Sequence, residues 1–379
     1  MSRQGNLDSI RFRSSPFVEL KALSALADEE REQVRELEHP DLYGFFSAKP
    51  PLKMTVKSAA RESAELFRSL ATPAPLDSHL YDEEDAAHVV DLVLDRILEI
   101  ESDDGFVSGA DAFSILGATV PRPGGALSRE ALQHAQELET DDPQTLAMAL
   151  YRYNHIPITP FWKKRFAGPQ AVMAYLGADR GALRSILERD WTFSEPSNAW
   201  LEWTSIIEQL ASRGDQVLYK LYVSPRPERI REAFEALVRV LVVVPGSFKI
   251  GSYAAGLLRP DKLVAYFATR EQLDEAATMM QRQLAGCEAH GVPFTAACDD
   301  SGLLSWGVDP PETDHVLRWL QRSSWRLWVV QRLGGALAVA KSAHTASAVE
   351  PWQFAVARIQ RLGVDVGTWT PSPTLWESS

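Results

Sequence analysis

A chain of 379 residues, 45% hydrophobic and 24% charged, is long enough for two or three domains and has an ordinary globular composition, which argues against wholesale disorder, a fibre or a membrane class. A formal net charge of −12 disfavours a protein that lives on nucleic-acid backbones. Cys287 and Cys298 are the only cysteines, without metal-ligand spacing, so neither a metal site nor a disulfide framework is expected. The polar N-terminus and the lack of any run near ~18 apolar residues place the expected location in the cytoplasm, with no membrane span.

From about Phe17 to Tyr151 apolar residues recur at helical spacing, most clearly as Val89, Val90, Leu92, Val93, Ile97 and Leu98, so residues 1–210 read as a mostly helical N-terminal region. Proline-rich segments beginning at Lys49, Thr72, Thr119 and Tyr153 punctuate it as turns or linkers. The last of these precedes a short basic piece, Lys163, Lys164 and Arg165. Helical sequence follows from Pro169 to about Arg189, and a boundary falls near Trp200 to Gly214.

Beyond that boundary the period changes to two. Val217, Tyr219, Leu221 and Val223 face one way and Leu218, Lys220 and Tyr222 the other, which is a strand. Ser224 to Glu228 supplies cap candidates, and Ile230, Phe234, Leu237, Val238 and Leu241 form the stripe of a helix. Two strands follow, Ser247–Tyr253 and Lys262–Ala268, then a second amphipathic helix, Arg270–Leu284, closed by Gly286. Val292–Ala297, a turn at Asp299–Gly302 and Leu303–Gly307 read as strand, loop and strand. Residues 311–379 are expected to be a helical, tryptophan-rich C-terminal brace. The expected fold class is therefore α+β: a helical N-terminal part, a split β-α-β unit of β-α-β-β-α-β order at 215–310, and the brace.

Two helices on one face of such a sheet leave the other free. Lys220 shares a strand face with Tyr222 and Lys262 one with Tyr266, while Lys249 sits on the strand between in sequence. Cations on neighbouring strands repel unless an anion neutralises them, so the cluster implies either acid partners such as Asp261 or an anionic ligand. Arg259 adds a fork suited to phosphate. The bland alternative is a set of solvated lysines. Arg152 and His155 beside Pro157 form a second, weaker candidate, and His290 reads as a solvent-facing turn residue. Trp200, Trp203, Trp325 and Trp328, at spacings of three, read as packing.

Tyr219–Glu228, Ser247–Ile250, Arg259–Phe267 and Val292–Thr295 resemble, in order and spacing, the HopA-type effector family and the phosphothreonine-lyase-like domain of class III and IV lanthionine synthetases. A weaker echo is the Arg in Ser324–Val330, shortly before an apolar helix. HopA-type proteins also serve as partners in thioamitide and class V lanthipeptide biosynthesis. The resemblance implies β-elimination of phosphate from phosphoserine or phosphothreonine in a ribosomal precursor peptide, beside a kinase-like partner and without metal or organic cofactor. It implies Lys249 as base, Lys220, Arg259 and Lys262 as phosphate ligands, and Tyr222 or Tyr266 as proton donor or orienter. In the effector lyases a His stands near where this chain has Tyr222, and the Arg after the Ser-Asp element of the synthetase lyases is lacking. The alternative is a non-catalytic protein that receives a peptide on its sheet and presents it to a modifying enzyme.

Overall fold

The computed structural model describes residues 10–26, 42–50, 52, 54, 56–76, 83–194, 199–207, 219–310, 324–343 and 349–372. The expected strand start at Val217 and Leu218, together with Trp319 and Trp376, lies outside the described residues.

The first part is less helical than its apolar spacing predicts. It holds β1 (Arg11–Ser14), β2 (Val18–Ala22), β3 (Leu42–Ala48), β4 (Lys57–Ala60), α1 (Arg61–Ser69), β5 (Ala74–Pro75), α2 (Glu83–Leu94), β6 (Leu98–Ser102) and β7 (Gly105–Val107). The strands form two antiparallel sheets, β5-β1-β6-β7 and β2-β3-β4. The stripe from Val89 does not run on as one helix, because Arg96 adopts a left-handed φ of 64° and turns the chain into β6. There Leu98 and Ile100 are buried as alternate residues of a strand.

Five helices follow: α3 (Ala126–Glu137), α4 (Pro143–Arg152), α5 (Pro160–Arg165), α6 (Pro169–Leu176) and α7 (Gly181–Asp190). α4 and α5 each open with a proline behind a capping side chain, Asp142 and Thr159, so Pro160, at the end of the last proline-rich segment, is a helix start, while Pro73, Pro121 and Pro123 lie outside helices and strands.

The largest sheet comprises β8 (Trp191–Phe193), β9 (Trp200–Ser205), β10 (Tyr219–Val223), β11 (Ser247–Gly251), β12 (Leu263–Phe267), β13 (Ala296–Ala297) and β14 (Leu304–Val308). Between them run α8 (Ile230–Val243), α9 (Ala254–Leu257) and α10 (Arg270–Gln283). The strands stand in the order β13-β14-β10-β12-β11-β9-β8, and every adjacent pair is antiparallel. Two departures from the sequence reading are local. Val292–Thr295 is not strand, because Phe294 takes a φ of 61°. Ser224 caps nothing; its hydroxyl donates to the Pro260 carbonyl at 2.6 Å.

One face of this sheet carries Leu221, Val223, Leu263, Ala265, Phe267, Phe248, Ile250, Leu201 and Trp203, buried with Phe234, Leu237 and Leu241 of α8 and Leu273 and Met280 of α10. The brace supplies α11 (Trp325–Lys341), packed on α4, and α12 (Pro351–Arg361). Close approach of α11 to α4 depends on Gly334, where a Cβ would stand 2.6 Å from the Pro143 carbonyl oxygen and 2.7 Å from the Ala147 nitrogen. Gly334→Ala is expected to cost about 1–3 kcal/mol through overpacking. A lower denaturant midpoint at unchanged slope would show it.

Candidate functional site

The register decides what the other face presents. Residues directly opposite in an antiparallel pair point to the same side. Tyr222 stands opposite both Ser305 and Val264, and Val264 opposite Lys249, which in turn faces Glu202. The neighbouring rung runs from Lys220 through Tyr266 to Ser247. Lys220, Tyr222, Tyr266 and Lys249 therefore share the face away from α8 and α10, with Lys220 and Lys249 two strands apart, about 10 Å.

Around this face the chain gathers more cations. Arg259, at the turn before β12, grips Asp261 with two nitrogens at 2.5 and 2.8 Å, and its Nη2 also donates to the Tyr151 hydroxyl at 2.6 Å. Arg326, from the first turn of α11, is fully buried and reaches Asp261 from the other side at 3.1 Å. Its Nη2 donates to the Tyr151 carbonyl at 2.5 Å and its Nε to the Pro293 carbonyl at 3.3 Å. Lys220 is paired with Asp309. Rings separate the charges: Lys249 Nζ lies 4.6 Å from the Trp200 ring centre and 5.4 Å from that of Tyr266, and Arg259 lies 5.0 Å from Trp200.

The ionisation states follow from burial and neighbours. Burial would push the Asp261 carboxyl up, but Arg326 and Arg259 outweigh it and hold the group well below the usual carboxylate range. Lys249 is lowered from the ordinary lysine value, first by burial and then by Lys220 and Arg259, against the opposing pull of Glu202. Burial raises the Tyr222 phenol well above its ordinary value, so it keeps its proton.

Among the described residues, Lys249 and the Tyr222 hydroxyl on this face make no hydrogen bond or ion pair. Among the described residues Lys249 has only ring contacts, whereas Lys220, Arg259 and Arg326 each hold a carboxylate. Among the described residues the buried Tyr222 hydroxyl has no hydrogen-bond partner, and a buried donor left unsatisfied costs about 1–3 kcal/mol unless a ligand supplies an acceptor. Among the described residues no group of His, Cys, Asp and Glu is placed to hold a metal ion, and no helix is long and apolar enough to cross a membrane.

No protein-family model matches the chain, and no curated protein matches it. Among solved structures it is similar to an effector protein from Pseudomonas syringae pv. tomato, 11% identical over 64% of this chain and 95% of that one, with a TM-score of 0.38. It is also similar to the VirA (SpvC) phosphothreonine lyase effector of Chromobacterium violaceum, 14% identical over 38% of this chain and 77% of that one, with a TM-score of 0.27. An effector protein from Pseudomonas syringae pv. syringae is 11% identical over 66% of this chain and 99% of that one, with a TM-score of 0.34.

Lys262 is the one sequence candidate that the fold draws away. It is fully buried, and its ammonium donates to the Pro225 carbonyl at 3.0 Å and sits 2.8 Å from His290 Nδ1. His290 is not the solvent-facing residue its turn position suggests. It is 9% exposed, and its Nε2 lies 2.5 Å from the Asn154 carbonyl, which makes Nε2 the donor and Nδ1 the acceptor for Lys262. Tyr151, Glu202 and Asp309 were not legible as site residues. The three-residue spacing of Trp200 to Trp203 predicts packing for both; in β9 the period is two, so Trp203 enters the core while Trp200 joins the site face.

Burial and Lys262 lower His290 to about 3, and burial lowers Lys262 to about 7. The unfolded chain takes up the His290 proton near ~6.5 and the folded chain does not until far lower, so this contribution to stability is complete above ~6.5 and is lost as pH falls toward 3. For Lys262 the unfolded chain binds the extra proton between about 7 and ~10.4, so stability rises with pH across that window. His290→Gln, which keeps an acceptor for Lys262, is expected to flatten the acid limb of a denaturant-midpoint profile. An unchanged limb would assign the acid sensitivity to other groups.

Proposed function

We propose that this face binds a phosphorylated serine or threonine side chain of a peptide and removes its phosphate by β-elimination, leaving a dehydroamino acid. The observation that carries the reading is Lys249: among the described residues it forms no ion pair or hydrogen bond, it is lowered from its ordinary pKa by burial despite the pull of Glu202, and it stands amid three paired cations. A neutral amine can take the Cα proton; the electron pair of that C–H bond becomes the Cα=Cβ bond, and the Cβ–O bond breaks with its electrons leaving on phosphate. Arg259 and Lys220 would exchange part of their carboxylate pairing for phosphate oxygens as charge builds on the leaving group, and the Tyr222 hydroxyl has a free proton to donate to it. Tyr266, beneath both Lys220 and Lys249, would orient them. Lys262 acts as a structural cation in this scheme. The peptide is a ribosomal precursor, with a kinase-like protein supplying the phosphate.

A phosphorylated peptide incubated with the protein should release inorganic phosphate and emerge lighter than its unphosphorylated form by one water. Recovery of the unphosphorylated mass would mean hydrolysis and would refute the reading. One observation favours a passive phosphopeptide reader instead. A phenol held above its ordinary pKa is a weak acid for the leaving group. Tight binding with no mass change would decide for that reader.

Phosphate or sulfate should also stabilise the fold by RT ln(1 + [L]/Kd), more than chloride at equal ionic strength. A Lys249→Ala, Arg259→Ala double variant should lose the difference. Equal responses in the wild-type protein would mean ordinary solvated cations.

A further inference from the structure

The segment 152–165, Arg152 to Arg165, carries four basic residues and no acidic one in a chain whose net charge is −12. Arg152, Lys163, Lys164 and Arg165 are all exposed, and no hydrogen bond or ion pair engages the Lys163 or Lys164 side chain among the described residues. Two large apolar side chains stand beside them in water, Ile158 at 52% and Phe161 at 60% exposure. The segment is not a loose surface run. Thr159 caps α5, Trp162 stacks on the buried Phe166, and Arg165 covers the Tyr175 ring. An anchored strip that keeps Ile158 and Phe161 exposed spends apolar surface on something other than the core.

Its position ties it to the site. The Ile156 amide donates to the Leu258 carbonyl at 3.0 Å, next to Arg259, and the Ala254 amide donates to the Phe166 carbonyl at 3.0 Å. The same strip begins one residue after Tyr151, whose hydroxyl Arg259 holds. Phe161 is five residues from Ile156 and so stands no more than ~17 Å from it, the span of about five extended peptide residues.

We propose that residues 152–165 dock an acidic, apolar-bearing segment of the peptide, within about five residues of its phosphorylated side chain. The inference rests on the phosphopeptide reading of the sheet face for what lies next door. Basic groups without acid partners call for carboxylates, and the exposed Ile158 and Phe161 call for an apolar residue among them.

The test measures fluorescence anisotropy of labelled phosphopeptides whose flanks are either Asp/Glu with one Leu or Ser/Gln only, against the full-length protein. Lys163→Glu with Lys164→Glu should weaken the acidic peptide at least tenfold and leave the neutral one within twofold, and added salt should narrow the gap between the two peptides. Phe161→Ser should weaken only peptides carrying the Leu. A thermal unfolding curve for each variant confirms that the exposed changes leave the fold intact. Equal loss for both peptides, or no loss for either, would overturn the proposal, as would tighter binding of the strip to anionic vesicles or an oligonucleotide. An unphosphorylated acidic peptide separates the two readings: strip-dependent binding that ignores the phosphate supports the strip and counts against the phosphate pocket alone.

Discussion

Lys249→Met should lower the rate of phosphate elimination by about 10²–10⁴, the usual contribution of a positioned proton acceptor, while peptide affinity changes by only a few fold. A base acts in the transition state, whereas Arg259 and Lys220 hold phosphate before and during the reaction, so kcat and kcat/KM should fall together. Arg259→Met should instead damage KM as well. In the wild-type protein the rate should climb with pH through an apparent pKa below the free-lysine value, because burial, Lys220 and Arg259 all disfavour the ammonium. That ascending limb should vanish in Lys249→Met. An intact limb would assign the base to another residue.

Asp261→Ala should be the most destabilising single change at the site. Its carboxylate is the shared partner of Arg259 and the fully buried Arg326, and removing one member of a buried charge cluster commonly costs about 3–5 kcal/mol because the cation left behind is uncompensated. Denaturant unfolding reads the loss directly. Arg326→Met in the Asp261→Ala background should return part of it, since two apolar or neutral groups then replace a broken pair. Additive losses in the double variant would mean that the two residues stabilise the fold independently.

The facing of residues on the central strands is legible because period two is a strong local signal. Lys220 and Tyr222 alternate with Leu221 and Val223, and Phe248 and Ile250 flank Lys249, so the cationic side of β10 and β11 could be read residue by residue. The stripes of α8 and α10 were equally plain. What failed did so for physical reasons. β8 is three residues long, too short to establish a period, and β9 is obscured by two tryptophans whose spacing of three also suits a helix. The site's tertiary half had no local trace. Tyr151 meets Asp261 and Arg326 across separations of 110 and 175 residues, so nothing in the sequence around Tyr151 reveals the other two. Arg326 was signalled only through resemblance. The burial of His290 has no local signal either, because a turn position says nothing about the buried amine of Lys262 that meets its ring.

The proposed elimination requires removal of a Cα proton, and a peptide deuterated at the Cα of its phosphothreonine reports on that step. In heavy-oxygen water, elimination should give slower phosphate release from the deuterated peptide, no heavy oxygen in the phosphate, and a product short of one water. Release at the same rate for both peptides, with heavy oxygen in the phosphate and an intact hydroxyl on the peptide, would contradict it.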